Sequence, residues 1–385
     1  MEYKTIKELC DLVVDCPHST PTWTEHGKIV IRNNNIKNGR IDFTSPSFTD
    51  DEHFAQRIKR AVPKAGDIVI TREAPMGEVG MIPEGIKCCL GQRMVLLRAN
   101  ERICDKHYLL YGLQSQFVQH QISWSEGTGT TVSNLRIPHL EQIRVPYVPL
   151  DQQKKISSVL YALGDKIENN RKLNDNLEQQ AAALFSSLYN RSNTEVRYTD
   201  LIQILGGGTP KTGETAYWNG NIAFFTPKDV GTPYTFITEK TITEEGLSNC
   251  NSRLYPVNTV FVTARGTVGK VGLSGVPMAM NQSCYALVGK ETHQLLVYFY
   301  TLKVVDKLKH KASGAVFDAI TTRDFESEQI MKLSDDDARA FLCVAEPVFQ
   351  DILNNSIENL RLSTLRDFLL PKLMSGEIDV SNIQF

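Results

Sequence analysis

The 385 residues contain no run of roughly 18 apolar side chains, the least that a membrane-spanning helix needs, so no membrane partner is expected. A strong net charge is also missing. The 42 basic and 44 acidic side chains leave −2, which excludes an overtly basic nucleic-acid binder. No C-x-x-C pair occurs. The eight cysteines, at 10, 16, 88, 89, 104, 250, 284 and 343, follow no regular spacing and read as reduced thiols of a cytoplasmic chain. Cys10, Cys16, His18 and His26 match no familiar zinc spacing, and no metal site is expected from them. The opening Met-Glu-Tyr-Lys-Thr carries an acid and no apolar segment, the pattern expected of a chain without a secretory signal.

The motifs of common enzymes are absent too. The Gly-Lys pairs ending at Lys28, Lys270 and Lys290 are followed by Ile, Val and Glu, so there is no G-x-x-x-x-G-K-[ST] phosphate cradle. Gly127-Thr-Gly129-Thr-Thr lacks the third glycine of a dinucleotide turn, and Gly206-Gly-Gly208-Thr-Pro leads into a polar turn rather than a helix. Neither H-E-x-x-H nor G-x-S-x-G occurs. No Pro-Pro dipeptide exists, so the N/D-P-P-aromatic clamp of an amino-methyltransferase cannot form. The acid runs Asp50-Asp51-Glu52 and Asp335-Asp336-Asp337 read as loop polarity and helix-start charge. No catalytic residues are expected.

What is present is ordinary globular composition, 41% apolar and 22% charged, enough for two to three domains, and a duplication. Residues 67–80 read Asp-Ile-Val-Ile-Thr-Arg-Glu-Ala-Pro-Met-Gly-Glu-Val-Gly, and 259–272 read Thr-Val-Phe-Val-Thr-Ala-Arg-Gly-Thr-Val-Gly-Lys-Val-Gly. Leu90-Gly-Gln92 matches Met280-Asn-Gln282, Thr20-Pro21 matches Thr209-Pro210, and Lys28–Ile36 matches Ile222–Val230. Four matches in one order make a repeat. Strands are expected at 28–32, 67–71 and 94–97 before a helical stretch at 107–119. The order recurs as strands at 222–225, 259–263 and 284–288 and a helix at 294–309. The fold class is therefore α+β, with modules at 1–150 and 191–335. Residues 1–150 carry 18 basic and 17 acidic groups, 191–335 carry 15 and 14, and 336–385 carry four and eight.

The segments 151–190 and 336–380 are helical. Apolar residues spaced four and three apart run Ile156, Leu160, Leu163, Ile167, then Asn170 and Asn174, then Leu177, Ala181, Leu184 and Leu188. The same seam in the last segment reads Phe341, Ala345, Val348, Ile352, then Asn355 and Asn359, then Leu362, Arg366, Leu369 and Leu373. A polar seam residue fixes register, because a shifted partner leaves its amide unpaired. An antiparallel pair with Ile156 opposite Leu373 sets Asn170 against Asn359 and Asn174 against Asn355. Two alike halves related by a pseudo-two-fold axis present their helices in that sense. Two surface helices with polar stripes are the alternative. Pro347 predicts a short helix before it and the long one starting near it.

The chain resembles a specificity subunit of a type I restriction–modification system over essentially its whole length. The resemblance rests on Pro146-Tyr-Val-Pro-Leu-Asp-Gln-Gln153 entering the first long helix, and on the closing Leu369-Leu-Pro-Lys-Leu-Met-Ser-Gly-Glu-Ile-Asp-Val380. The turns at 74–77 and 266–269, Gln92 and Asn281-Gln282 add to it. Two departures stand out: Leu333-Ser-Asp-Asp-Asp337 replaces the Pro-Leu-Asp-Gln-Gln entry, and Arg366 replaces the Ala181 of the first seam. The resemblance implies two pseudo-symmetric target-recognition domains joined by an antiparallel pair of long coiled-coil helices. It further implies a non-catalytic reader of a bipartite site in double-stranded DNA, with one domain per half-site. The helices would serve as spacer and platform for two methyltransferase subunits. S-adenosylmethionine and ATP/Mg would be used by the methyltransferase and restriction/translocase subunits, with no cofactor on this chain. A helix of about 33 residues spans about 50 Å, more than one duplex turn of about 34 Å. A solitary specificity-like scaffold or inhibitor without its own methyltransferase is the alternative; a nuclease or fused methyltransferase is disfavoured by the missing motifs.

Base readout calls for Arg, Lys, Asn, Gln and small hydroxyls on loops. In the first module the candidates are Thr20, Arg32, Asn33, Asn34, Asn35, Lys37, Arg72, Arg93 and Thr130; the three asparagines are equally a turn with left-handed residues. In the second they are Thr209, Lys211, Lys228, Arg265, Lys270, Gln282, Lys311 and Ser313, with Arg265, at a strand end, foremost. Gln92 and Gln282 are also expected to bridge backbone.

Overall fold

The apolar run at 67–71 is continuous rather than alternating, which suits a strand covered on both faces. In the computed structural model, which describes residues 2–37, 39–124, 134–231, 233–311 and 319–381, strand Ile68–Thr71 is buried throughout. Ile68 and Ile70 face one core with Val95, Leu97, Leu109 and Leu113, whereas Val69 faces a second core with Ile31, Leu90 and Leu96. Its sheet runs Cys10–Asp15, Met94–Ala99, Ile68–Thr71, Val79–Met81, all antiparallel. A second sheet places Lys28–Ile31 between Ser47–Thr49 and Cys88–Leu90, parallel to the latter. A ribbon of Glu2–Thr5 and Arg144–Tyr147 ties the two ends of the module together.

The second module repeats this plan. Ile202–Gly206, Cys284–Gly289, Val260–Thr263 and Val271–Ser274 lie in the equivalent order, extended by Tyr234–Thr235. Trp218–Phe225 lies between Lys240–Ile242 and Met278–Met280, again parallel to the latter. Thr194–Arg197 pairs with Gln329–Lys332. The helical layers differ. One helix, Gln294–Lys311, covers the second module, but the first has Lys106–Gln114 and Gln116–Ser123 in place of one stretch at 107–119. Ser115 divides them. Its hydroxyl donates to the Gly112 carbonyl (2.6 Å) and accepts from the Val118 N–H (3.4 Å), so it caps the second helix.

Two long helices, Leu150–Arg191 and Asp335–Met374, complete the chain. They do not stand as units of their own. The chain divides into Met1–Ile167 with Leu360–Phe385, and Glu168–Asn359, so each unit holds one module and part of both helices. In the first unit, Ile156 and Leu160 pack with Leu373, Met374, Val380, Tyr108 and Tyr111. In the second, Ala181, Phe185 and Leu188 join Phe341, Ala345, Phe349, Ile352, Phe299 and Tyr300. The expected break at Pro347 is absent: the helix runs through it. A proline deletes one hydrogen bond, and buried Phe341, Ala345, Phe349 and Ile352 hold the turns on both sides.

The helix entries differ as the sequences do. Gln153 is fully buried; its amide accepts from the Asp105 N–H (2.9 Å) and donates to the carbonyls of Ile103 (3.0 Å) and Val148 (2.8 Å). In the second helix Ser334 replaces this clamp, its hydroxyl accepting from the Asp337 N–H (3.1 Å). Arg366, half-buried in the seam, turns its guanidinium to the neighbouring Asp367 carboxylate (2.8 Å).

The four seam asparagines meet in two pairs. Asn170 donates to Asn359 Oδ1 (3.0 Å) and to Glu358 (2.7 Å). Asn355 donates to Asn174 Oδ1 (2.9 Å), while Asn174 donates to Ser356 Oγ (3.2 Å) and the Ile352 carbonyl (3.3 Å). Asn170 and Asn174 are 2% and 7% exposed, so an unpaired amide there is expensive. Asn355→Leu is expected to cost about 1–2 kcal/mol, and adding Asn174→Leu to recover much of it, with a coupling of about 1 kcal/mol. Urea unfolding of the double-mutant cycle measures this; strict additivity would show that the pair contributes nothing.

Candidate nucleic-acid interface

In the first module the ends of several strands converge on one edge. The Gly91 N–H donates to the Ile31 carbonyl (2.7 Å), the Arg72 N–H to the Arg93 carbonyl (2.8 Å), and the Leu135 N–H to the Arg72 carbonyl (3.0 Å). The second module builds the same edge: Asn281 N–H to Phe225 (3.0 Å), Ala264 N–H to Ser283 (2.8 Å) and Ile320 N–H to Ala264 (2.9 Å). The turns agree bond for bond. Thr71 Oγ1 donates to the Pro75 carbonyl and accepts from the Glu78 N–H (3.0 Å); Thr263 Oγ1 donates to Thr267 and accepts from the Lys270 N–H (2.9 Å). Gly77 at φ +84° and Gly269 at +75° supply the left-handed residue that closes each turn.

Two of the matched sequence pairs form a clasp across this edge. Gln92 Nε2 donates to Thr20 Oγ1 (3.0 Å) and to the His18 carbonyl, and Thr209 Oγ1 donates to Gln282 Oε1. The clasp fixes the loop after the first sheet strand against the turn before the central one. In the first module Arg57, 6% exposed, reinforces it: its guanidinium donates to the carbonyls of Pro17 (3.0 Å), Ser19 (2.7 Å) and Leu90 (2.7 Å).

The structure separates the remaining candidates. Asn35 is buried and closes the short 3-10 turn Asn33–Asn35: Oδ1 accepts from the Arg32 N–H (2.9 Å) and Nδ2 donates to the Asp42 carbonyl (3.1 Å). It is an internal brace and not a base reader, and none of the three asparagines is left-handed. Arg72 is a second correction. It is 8% exposed and engaged with Asp15 (2.9 Å), Asn134 Oδ1 (3.1 Å) and the Leu135 carbonyl (2.9 Å), because a guanidinium taken out of water must have its donors filled. Lys311 is 63% exposed, and its ammonium meets the buried carboxylate of Glu328.

Arg93, at φ +66°, pairs with Glu73 (3.1 Å). Glu73 gathers the edge, since Asn134 Nδ2 donates to its carboxylate (2.7 Å) and Asn33 Nδ2 to its carbonyl (2.6 Å). In the second module Lys228 pairs with Glu239 (3.5 Å), and the Lys211 carbonyl accepts from Trp218 Nε1 (3.1 Å). Arg32, Asn34, Lys37, Lys211, Arg265 and Lys270 are exposed, and Arg265 takes the place of Glu73 with no side-chain hydrogen bond among the described residues. Thr130 and Ser313 lie outside the described residues.

The sequence reading missed Glu73, Arg57 and Trp23. Trp23 was the most accessible to it, an aromatic in a polar loop beside Thr20, and the guanidinium of Arg32 lies over its ring, 5.0 Å from the centroid. Among the described residues no cluster of three His, Cys, Asp or Glu could hold a metal, and no helix is long and apolar enough to cross a membrane. All eight cysteines are free thiols; burial raises that of Cys89 to about 11 and that of Cys284 to about 12.

Residues 1–179 and 190–332 each match the family model for the type I restriction modification DNA specificity domain. The type I restriction enzyme MjaIX specificity subunit of Methanocaldococcus jannaschii is 23% identical over 351 residues, 84% of this chain and 80% of that protein. The HindI specificity subunit of Haemophilus influenzae is 28% identical over 186 residues, 47% of this chain and 40% of that protein. A crystal structure of the type I restriction–modification S subunit from M. genitalium shares the fold, with a TM-score of 0.57 at 17% identity over 97% of this chain and 95% of that one.

Proposed function

Because the chain belongs to the family of type I restriction–modification DNA specificity subunits, we propose that its two modules read the two halves of a bipartite duplex target through the paired strand-end edges. The chain is the sequence-reading, non-catalytic member of a restriction–modification complex. The observation that carries the division of labour is that one edge is built twice on matching turns and glutamine–threonine clasps, but bears different exposed side chains each time. What is common frames the DNA; what differs, Arg32 and Lys37 against Lys211, Arg265 and Lys270, reads it.

In this reading the long helices dock two methyltransferase subunits, and their length sets the number of unread base pairs between half-sites. Those subunits supply S-adenosylmethionine chemistry on adenine, a restriction/translocase subunit uses ATP and Mg, and the complex works in the cytoplasm. The near-neutral modules fit a reader whose phosphate contacts are shared with its partners. Mapping N6-methyladenine in cells with and without the chain tests the proposal. Methylation of one bipartite motif is expected to disappear with the chain; an unchanged map overturns the proposal.

A further inference from the structure

The exposed arginine of the first module's edge lies over the ring of an exposed tryptophan. Strand Lys28–Ile31 ends at Arg32, whose backbone is extended (φ −118°, ψ 164°) and whose N–H is caught by Asn35 Oδ1 (2.9 Å). The backbone is thus fixed while the side chain leaves the fold. Its guanidinium lies 5.0 Å from the ring centre of Trp23, which is 45% exposed, and Nη1 stands 3.4 Å from Ser47 Oγ. Among the described residues no carboxylate pairs with it. The other arginines beside this edge are spent internally, Arg72 on Asp15 (2.9 Å) and Arg93 on Glu73 (3.1 Å).

Among the described residues, the second module has no counterpart at this position. The carbonyl of Phe225 takes the place of that of Ile31 under the turn, so Thr226 stands where Arg32 does, and its hydroxyl is turned inward onto Asp229 (2.6 Å). The pair is a feature of one module laid over a framework common to both. A guanidinium held over an indole and beside a hydroxyl has few orientations left, and its planar fork of N–H groups matches the O6 and N7 acceptors of guanine in the major groove. Lysine has neither the plane nor the fork. We infer that Arg32, pre-oriented by Trp23, reads a guanine in the half-site taken by the first module; the inference rests on the DNA-recognition reading above.

The full chain with its methyltransferase subunits, presented with duplexes randomised over both half-sites, provides the test. Arg32→Ala is expected to reduce the preference for one G·C pair in one half-site by roughly ten- to a hundredfold, leaving the other half-site's preferences intact as the sign of a folded complex. Arg32→Lys should not restore that preference, and Trp23→Phe should retain more of it than Trp23→Ala. Uniform weakening across all sequences with a salt slope lower by about one would mark a phosphate contact and overturn the inference, as would an unchanged preference profile. A wild-type complex without preference in either half-site would instead remove the recognition reading, and the inference with it.

Discussion

Replacing Phe341 by alanine is expected to destabilise the second unit by about 4 kcal/mol, the range for emptying a fully buried aromatic site. The ring has no exposed surface and meets Phe185 (5.4 Å) and Phe299 (5.2 Å) edge-on, so the variant loses both burial and ring contacts. Those partners belong to the central helix and to the module's covering helix, so the cavity opens where three helices meet and cannot collapse by moving one of them. Six residues on stands Pro347, which withholds one hydrogen bond from the helix. With Phe341 gone, the turns before Pro347 lose their anchor, and amide exchange over 336–346 should rise well above that over 350–360. Urea unfolding measures the first effect and hydrogen exchange the second. A loss below about 1 kcal/mol with unaltered exchange would mean that the cluster does not hold the helix across the proline.

Arg72→Ala is the other large effect, about 3 kcal/mol in the first unit. The substitution leaves the Asp15 carboxylate, only 19% exposed, with His18 Nε2 (2.9 Å) as its remaining side-chain partner, and leaves Asn134 Oδ1 and the Leu135 carbonyl without a donor. Arg93→Ala is the internal comparison. Its side chain is 55% exposed and its single ion pair is screened by water, so its loss is expected to stay within about 1 kcal/mol. Denaturant midpoints of the two variants should differ clearly; similar values would show that burial does not distinguish these arginines.

Much of this architecture is legible in the sequence because duplication supplies its own control. A turn such as 67–80 is ambiguous alone, and its recurrence at 259–272 with the same threonine and glycines marks which residues build it. The seam asparagines are legible for a related reason: amides in an apolar register demand partners, and only one antiparallel register supplies them. Side-chain direction at strand ends is not legible. Arg32 and Arg72 each follow an apolar strand, yet one leaves the fold and the other enters it, and the difference lies in partners on other segments: Trp23 for the first, and Asp15 and Asn134, both distant in sequence, for the second. Ser115 and Pro347 show the same limit for helices. A serine without a glycine or proline beside it ended one helix, and a proline failed to end another, because capping and tertiary packing outweigh propensity.

The glutamine–threonine clasp has a consequence for how such a chain changes over time. Its bonds are internal, whereas Arg32 and Arg265 hang outside it. Exchanging either for another polar residue should alter stability by no more than about 0.5 kcal/mol. Folding and target choice are then separate mutational problems. New preferences can arise by single exchanges on a fixed frame, one module at a time, while the other keeps its half of the address.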